Sequence, residues 1–358
     1  MKGGYYERKI RLLRERLRSL NLEGMIVTNP VNIKYLTNIE NEGTLLITRK
    51  ENIFLTYTMY LENVKSTLTI NDEIIVVDFR DVGKDECENF FLFCENIGFE
   101  ENYVTYKQYH FLKQKYKVNN LAETENIIEK LREIKDEEEI KNITKACEIT
   151  DKCFEHLLTF IKIGISEKEI ANEVERFFKE NGADGLAFDT VVAVGENSSQ
   201  PHWKPSNRTV KMADPILIDM GCKYNGYCSD MTRTIFMGCI LEEIKPIYDL
   251  VLKNLQNTED EIREYASIKT ISQMVENDFK QYKQTMIHAL GHGVGMETHE
   301  IPYISPKNDT FLKKNMVIAD EPGIYIPGKY GIRIEDTILV EKNGKTILTK
   351  SPRKYTVI

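Results

Sequence analysis

The segment PILIDMGCKYNGYCSDMTRT, residues 215–234, constrains the fold more than any other part of this sequence. Two apolar runs flank the Asn-Gly pair at 225–226, and Asn-Gly between such runs is the strongest short-range signal of a β-hairpin. A two-residue turn centred on that pair predicts that Asp219 faces Thr232 across the hairpin. Asp219 and Asp230 then lie diagonally on one face, with their Cα atoms roughly 6–8 Å apart.

A second pair of acids follows the same pattern further along the chain. Glu321 follows the apolar run MVIAD, and Glu335 lies within the run GIRIEDTILV. Pro327-Gly328 between them is a turn signal, so a second antiparallel pair is expected to present two more carboxylates. Carboxylates this close in a half-buried sheet repel, so one holds a proton or a cation lies between them. A surface hairpin with solvated acids is the alternative, but these acids lie inside apolar strands rather than at turns.

The stretch HALGHGVGMETHE, residues 288–300, holds three of the six histidines. A helical HxxxH zinc pair is disfavoured there because Gly291 and Gly293 oppose a helix. His292 together with the four carboxylates makes an oxygen-rich ligand set with one nitrogen and no thiolate. Such a set suits Mn²⁺, Co²⁺ or Zn²⁺, and two ions are needed to neutralise four anions.

The chain of 358 residues is longer than one typical core requires, which predicts two domains. The first 120 or so residues alternate strand-like and helix-like runs, as in a small α/β domain. Its predicted strands lie in LEGMIVTNP, TLLITRK, NIFLTY, EIIVVDF and NYVTY, and KDECENFFLFCENIG is predicted to be a helix ending at Gly98. We place the boundary near residue 125, before a charged helix with an apolar face from Ile140 onwards. Ser166 and Glu169 predict a capping box for the next helix.

Composition and charge exclude several classes of partner. The net charge of −8 opposes binding to nucleic acid, and no apolar run reaches the roughly 18 residues that a membrane span needs. The charged N-terminal stretch MKGGYYERKIRLLRERL lacks the apolar segment of a secretory signal, so we expect a cytoplasmic protein. Seven cysteines without a CxxC pair indicate reduced thiols rather than a disulfide framework or a zinc ribbon.

The second half of the chain resembles the pita-bread metallopeptidases, which include aminopeptidase P, prolidase, methionine aminopeptidase and the metal-free creatinase. The matching stretches are FDTVVAVGENSSQPHWKP, PILIDMGCKYNGYCSDMTRT, HALGHGVGMETHEIP, EPGIYIP and GIRIEDTILV. The first half resembles the creatinase-type domain that precedes this fold in Xaa-Pro enzymes. The resemblance implies an α+β fold, with an α/β creatinase-type N-terminal domain over 1–124 and a pita-bread catalytic domain over 125–358.

The resemblance also implies a dinuclear metal centre. Five residues of this sequence match its ligands: Asp219, Asp230, His292, Glu321 and Glu335. By the resemblance, Asp230 and Glu335 bridge two divalent ions, and Asp219 completes one of them. His292 and Glu321 complete the other ion. Manganese is the expected metal, with cobalt or zinc as alternatives.

Further residues receive catalytic roles by the same resemblance. His202 is expected at the pocket mouth near the scissile peptide, and His299 against the substrate or the leaving amine. His288 is expected to line the pocket and assist proton transfer, although packing alone is the alternative for each of these histidines. Glu321 would shuttle a proton, and Arg333 would orient the metal ligands. Two tyrosines are expected to wall the proline pocket, with a plain core position as the alternative: Tyr227 and Tyr325.

The activity that the resemblance implies is hydrolysis of the bond between an N-terminal residue and proline in small peptides. A dipeptidase must bind the substrate's C-terminal carboxylate, normally with a cation, and some prolidases of this size carry an arginine just after the HExP stretch. Here Tyr303 stands in that neighbourhood, which favours an Xaa-Pro aminopeptidase over an Xaa-Pro dipeptidase. An inactive binding protein on the same fold is disfavoured by the complete ligand set. The resemblance further implies a homodimer.

Overall fold

The structure, a computed structural model, describes residues 3–68, 73–80 and 90–358. The chain divides into two compact units, Met1–Arg132 and Glu133–Ile358. The boundary expected between residues 124 and 125 stays a prediction. Within the described ranges, no helix has both the length and the apolar character that crossing a membrane requires.

The first unit combines one mixed β-sheet with several helices. Its helices are α1 Gly3–Ser19, α2 Pro30–Thr37, α3 Leu61–Thr67, α4 Tyr106–Lys115 and α5 Ile127–Arg132, with a 3₁₀ turn at Thr58–Tyr60. Its strands are β1 Gly24–Val27, β2 Gly43–Thr48, β3 Asn52–Thr56, β4 Ile75–Asp78, β5 Asn96–Phe99 and β6 Asn120–Glu123.

The sheet of the first unit has the strand order β4-β3-β2-β1-β5-β6. The pairs β1–β2 and β2–β3 are antiparallel, and the pairs β3–β4, β1–β5 and β5–β6 are parallel. Fully buried Ile26, Leu46, Leu55 and Ile97 join Leu112 of α4 in one apolar core. Parallel strands joined through helices are the α/β arrangement that the alternating sequence pattern predicts.

Two secondary-structure predictions for the first unit are wrong. NYVTY does not form a strand, because Thr105 and Gln108 form a capping box that starts α4 at Tyr106. This local pairing of side chain and backbone outweighs the β-propensity of the valine and tyrosines. Gly98 lies in β5 rather than at a helix end. The part of KDECENFFLFCENIG before residue 90 lies outside the described residues.

The second unit contains four long helices and many short strands. Its helices are α6 Glu137–Phe160, α7 Glu167–Glu180, α8 Lys245–Glu261 and α9 Ile268–Gln281, with a 3₁₀ turn at Gly195–Ser199. Its strands are β7 Gly185–Leu186, β8 Val191–Val194, β9 Pro215–Met220, β10 Cys222–Tyr224, β11 Tyr227–Cys228, β12 Met231–Phe236, β13 Gly291–Gly293, β14 Glu300–Ile304, β15 Val317–Asp320, β16 Gly323–Ile326, β17 Tyr330–Arg333, β18 Asp336–Glu341 and β19 Gly344–Ile347.

The strands of the second unit confirm the predicted hairpin register. β9 pairs antiparallel with β12 and brings Asp219 opposite Thr232. A five-stranded sheet in the order β14-β13-β15-β18-β19 carries the second pair of acids. The predicted capping box of Ser166 and Glu169 begins α7, and the apolar face of α6 is buried as its periodicity requires.

Strand β13 has a glycine on each side of His292, and the close packing of its neighbouring strands explains these two glycines. A Cβ on Gly291 would lie well inside van der Waals contact with the carbonyl oxygen of Ala319, and one on Gly293 would do the same with that of Ile301. The glycines therefore let neighbouring strands approach β13 closely on both sides, rather than admitting a metal ion. This tight spacing fixes the backbone that carries His292.

We predict that Gly291→Ala lowers the free energy of unfolding of the metal-stripped protein by about 2 kcal/mol, because the added methyl group overpacks the sheet. Urea unfolding followed by tryptophan fluorescence measures this change. The matched control is Gly344→Ala, where a Cβ meets nothing within 4 Å and where we expect little effect. Equal stability of the two variants would contradict this explanation of β13.

Candidate metal centre

Nine of the residues predicted for the site line one cavity of about 680 Å³ in the second unit. They are His202, Asp219, Asp230, His288, His292, His299, Glu321, Arg333 and Glu335. Cavities of roughly 300–1,000 Å³ are typical of small-molecule sites. Segments that lie far apart in the sequence thus place their acids, imidazoles and guanidinium around one space.

Two antiparallel strand pairs deliver the four acids to this cavity. Asp219 lies within β9 and Asp230 directly precedes β12. Glu321 directly follows β15 and Glu335 directly precedes β18. Since the last residue of β15 pairs with the first residue of β18, these two glutamates lie next to each other at the ends of paired strands. Asp230 and Glu335 are almost fully buried.

His292 presents one ring nitrogen to the acids. In the tautomer that the contacts favour, Nδ1–H donates to the carbonyl oxygen of Gly293 at 3.1 Å. Nε2 then lies 3.6 Å from Asp230 Oδ2 and 3.6 Å from Glu321 Oε1. These distances are too long for hydrogen bonds, and Nε2 could be a ligand of a divalent ion together with these two oxygens. One ligand atom each of Asp230, His292 and Glu335 lies within 4.8 Å of the others.

Arg333 is the buried cation of the site and is held by several acceptors. Its Nη2 donates to Asp219 Oδ2 at 2.6 Å, and its Nη1 donates to the Tyr325 hydroxyl at 2.8 Å. Its Nε donates to Thr232 Oγ1 at 3.0 Å, and Thr232 donates in turn to Glu335 Oε2 at 2.6 Å. Arg333 and Thr232 therefore fix the orientation of two of the acids.

Two fully buried carboxylate oxygens of the site have no hydrogen-bond partner among the described residues. They are Asp219 Oδ1 and Glu335 Oε1, and both are buried. A buried oxygen without a partner is costly, whereas a divalent ion at the same place would coordinate it. The donor set of four carboxylates and one neutral imidazole thus fits divalent metal ions.

Burial is the largest cause of the pKa shifts of three acids and of His292 in the site. Burial and the charge of Glu335 raise the pKa of Asp230 and the pKa of Glu321 well above their ordinary values. Burial and the charge of Asp219 raise the pKa of Glu335 to about 8. Burial and the nearby His299 lower the pKa of His292 to about 4, so this imidazole is neutral at pH 7 and its Nε2 can bind a metal.

The other three histidines of the site differ in how firmly they are held. His288 Nδ1–H donates to the Ala289 carbonyl oxygen at 2.7 Å, and its Nε2 lies 3.0 Å from the Tyr325 hydroxyl. Burial and the charge of Arg333 lower the pKa of His288 to about 4. The rings of His299 and His292 have centroids 4.2 Å apart, and the side chain of His202 is exposed.

The structure does not place the two predicted tyrosines among the residues that line the cavity. The Tyr227 hydroxyl donates to Glu139 Oε1 at 2.9 Å, and the residue is buried. Tyr325 lies behind the cavity wall, where its hydroxyl contacts Arg333 and His288. Both tyrosines thus use their hydroxyls in buried hydrogen bonds rather than as a face for the proline ring.

Sequence reasoning missed the contribution of helix α7 to the cavity. Its lining residues are Lys168, Ala171, Asn172 and Glu175, which share one helix face by their spacing of three and four residues. Trp203 and Lys204, from the loop that carries His202, also line the cavity. The amphipathic spacing of α7 is visible in the sequence, but spacing alone does not show that this helix face lines the cavity.

Comparisons with known proteins agree with this geometry. The family model described as Metallopeptidase family M24 matches residues 141–342, and the model described as Creatinase/Prolidase N-terminal domain matches residues 9–134. The chain is 35% identical over 354 residues to the Xaa-Pro dipeptidase of Pyrococcus furiosus, covering 96% of this chain and 99% of that protein.

Solved structures extend the similarity to three dimensions. The Xaa-Pro dipeptidase from Bacillus anthracis matches with a TM-score of 0.93 and 33% identity, covering 99% of this chain and 100% of that chain. The X-Pro aminopeptidase from Thermotoga maritima MSB8 matches with a TM-score of 0.87 and 30% identity, covering 96% of this chain and 100% of that chain. The predicted pita-bread domain preceded by a creatinase-type domain is thereby confirmed.

We predict that Asp230→Asn weakens binding of divalent metal ions by about 100-fold or more without lowering the thermal stability of the metal-stripped protein. The substitution removes a ligand oxygen, but it also removes one of several repelling buried acids. Calorimetric titration with Mn²⁺ and thermal unfolding in chelator measure the two effects. The control is Asp336→Asn, which breaks the buried ion pair with Arg233 and should destabilise the stripped protein. A stripped Asp230→Asn protein that unfolds well below the wild type would contradict this electrostatic account.

Proposed function

This chain belongs to metallopeptidase family M24, and we propose that it is an Xaa-Pro exopeptidase that acts on small peptides with proline in the second position. The single observation that carries the proposal is the ligand set around the cavity, in which every carboxylate and the imidazole of the family pattern is present. Because the ligand set is complete, it supports an active enzyme rather than a binding protein on the same fold.

The proposed cofactor is a pair of divalent metal ions held by Asp219, Asp230, His292, Glu321 and Glu335. Manganese is the proposed metal, with cobalt or zinc as alternatives, because oxygen-rich sites with one imidazole accept all three. When bound, the ions lower the pKa of a water nucleophile and polarise the scissile carbonyl. The unpartnered oxygens of Asp219 and Glu335 support this assignment.

The chain's own residues supply proton transfer and positioning. Glu321 is the proposed proton carrier, which accepts a proton from the attacking water and delivers it to the imino nitrogen of proline. In the metal-free protein, burial and the charge of Glu335 raise the pKa of this carboxyl. His202 is the proposed donor to the oxyanion, and His299 the proposed contact to the substrate. His288 is held by Ala289 and Tyr325, so we propose that it orients the Tyr325–Arg333 hydrogen bonds.

Recognition of proline requires an apolar wall, since the residue lacks an N–H and its ring fixes φ. The cavity offers several apolar side chains for this purpose: Ala171, Leu186, Phe188, Val191 and Trp203. Peptidases that grip an extended backbone by its N–H groups bind such a bond poorly. A cavity shaped by side chains selects the ring directly.

One observation favours an aminopeptidase that accepts longer peptides, and another favours a dipeptidase. The cavity of about 680 Å³, with Tyr303 in the position just after the HExP stretch where some prolidases carry an arginine, favours an aminopeptidase for longer peptides. The lining residues Lys168 and Lys204, for which no ion pair is present among the described residues, favour a dipeptidase that binds a terminal carboxylate. We propose the aminopeptidase as the principal activity and the dipeptidase as the second candidate.

The proposal extends to the location, the oligomeric state and the partners of the enzyme. We propose a cytoplasmic homodimer that acts on peptides and binds neither nucleic acid nor membranes. The net charge of −8 supports the absence of a nucleic-acid partner.

We predict that the Mn²⁺-loaded protein hydrolyses an Xaa-Pro-Yaa tripeptide and that chelator abolishes the activity. Comparison with the Xaa-Pro dipeptide, and with its C-terminal amide, separates the two candidates. A dipeptidase would cleave the free acid far better than the amide and would lose this preference in Lys204→Met. No cleavage of any of these substrates by protein with two bound ions would contradict the proposed function.

We predict that His202→Ala lowers kcat for the tripeptide by about 100-fold, because it removes a donor to the oxyanion. Steady-state kinetics with matched metal content measures this loss. His110→Ala is the control, since His110 is an exposed residue of the first unit and should leave kcat unchanged. Equal activity of the two variants would remove His202 from the proposed mechanism.

A further inference from the structure

Glu167, the first residue of α7, has a fully buried side chain that no part of the proposed chemistry uses. Its helix is already capped by Ser166 and Glu169, so the Glu167 carboxylate is not needed for that purpose. Instead it accepts five hydrogen bonds from other segments, from Val194 N at 2.8 Å, Asn197 Nδ2 at 2.8 Å, Trp203 Nε1 at 2.9 Å, Ser206 N at 2.9 Å and Ser206 Oγ at 2.6 Å.

No cation contacts this carboxylate among the described residues, so hydrogen-bond donors alone compensate its burial. Burial opposes ionisation, but the donors from Ser206, Asn197, Val194 and Trp203 together lower the pKa of Glu167. The carboxylate is therefore ionised at neutral pH, and charge-assisted hydrogen bonds are roughly twice as strong as neutral ones.

The loop that Glu167 holds forms part of the cavity wall but has no regular secondary structure of its own. Residues 201–205 all line the cavity, yet they belong to no helix or strand. Without ladder hydrogen bonds, such a loop depends on side-chain contacts for its position. Arg333 Nη1 reaches the Pro201 carbonyl oxygen at 3.4 Å on one side. Lys168 N donates to the Ser206 carbonyl oxygen at 3.1 Å on the other.

We propose that Glu167 is a positioning residue that fixes the loop of residues 201–206 and so places the His202 imidazole over the metal centre. The proposal rests on the proposed function for the role of His202, but the fixing of the loop does not depend on it. Glu167 is not among the residues that line the cavity, and its carboxylate accepts hydrogen bonds from no metal ligand. It acts through the indole of Trp203 and the backbone and hydroxyl of Ser206.

The chain carries its own reporter for this proposal, because Trp203 is the only tryptophan in the sequence. In Glu167→Gln an NH2 group replaces one of the two acceptor oxygens, so in either orientation of the amide two N–H donors meet a donor. The remaining hydrogen bonds also lose the negative charge that strengthens them, so the loop should loosen. We expect acrylamide to quench Trp203 fluorescence at least twofold more strongly in Glu167→Gln than in the wild type. The matched control is Glu173→Gln on the same helix, whose carboxylate contacts His156 and Arg176 instead.

A double-mutant cycle tests the consequence for catalysis. We expect Glu167→Gln to lower kcat for the tripeptide about 10-fold in the wild-type background, with unchanged metal content. In the His202→Ala background the same substitution should lower kcat less than about twofold, because the residue that it positions is gone. A merely structural role would give additive losses in the two backgrounds.

The outcomes separate this proposal from the proposed function. Unchanged quenching in folded Glu167→Gln, or additive effects on kcat, would overturn the positioning role. Absence of Xaa-Pro hydrolysis in the wild type would defeat the proposed function, while the quenching experiment would still decide whether Glu167 fixes the loop. If Glu167→Gln fails to fold, Ser206→Ala removes one donor to Glu167 and should raise quenching and lower kcat in the same direction by a smaller factor.

Discussion

Mutual repulsion among four carboxylates, of which Asp230 and Glu335 are buried and Asp219 and Glu321 half-buried, is the constraint that dominates the second unit. Two antiparallel strand pairs bring Asp219, Asp230, Glu321 and Glu335 to one cavity, where the buried Arg333 forms ion pairs with Asp219 and Glu321. One guanidinium does not balance four ionised acids, and His292 is neutral at pH 7 because burial lowers its pKa. In the metal-free protein, the pKa values of Asp230, Glu321 and Glu335 are therefore raised, which favours their protonated forms. Divalent cations resolve this imbalance, so the strands, the acids and the metal chemistry have one physical explanation.

The parts of the site that could be predicted from the sequence are those set by local rules. The Asn-Gly turn fixes the register of β9 and β12, and with it the position of Asp219 opposite Thr232. The placement of Glu321 and Glu335 follows from the same alternation in a second strand pair. These features needed only turn chemistry and a period of two residues.

Other features depend on contacts between distant segments and were not predictable in this way. Tyr227 lies in the predicted hairpin, but its hydroxyl meets Glu139 of a helix 88 residues earlier. Tyr325 reaches Arg333 and His288 rather than the cavity. Strand propensity likewise failed for NYVTY, because Thr105 caps helix α4 instead.

In the wall of the cavity, helix α7 holds the loop of residues 201–206, which has no regular secondary structure. Glu167 and Trp203 are 36 residues apart in the sequence, yet one buried carboxylate joins them. Arg333 combines the same positioning function with contacts to the acids, since it bonds to Asp219 and to the Pro201 carbonyl oxygen. The site thus rests on buried hydrogen bonds that hold exposed groups such as His202 in place.

The central claim is that these acids exist to hold metal ions, and anomalous X-ray diffraction from crystals soaked in Mn²⁺ tests it most directly. Our account predicts two anomalous peaks in the cavity, with Asp230 and Glu335 in contact with both. A folded protein that shows no peak among these five residues at saturating Mn²⁺ would contradict the account.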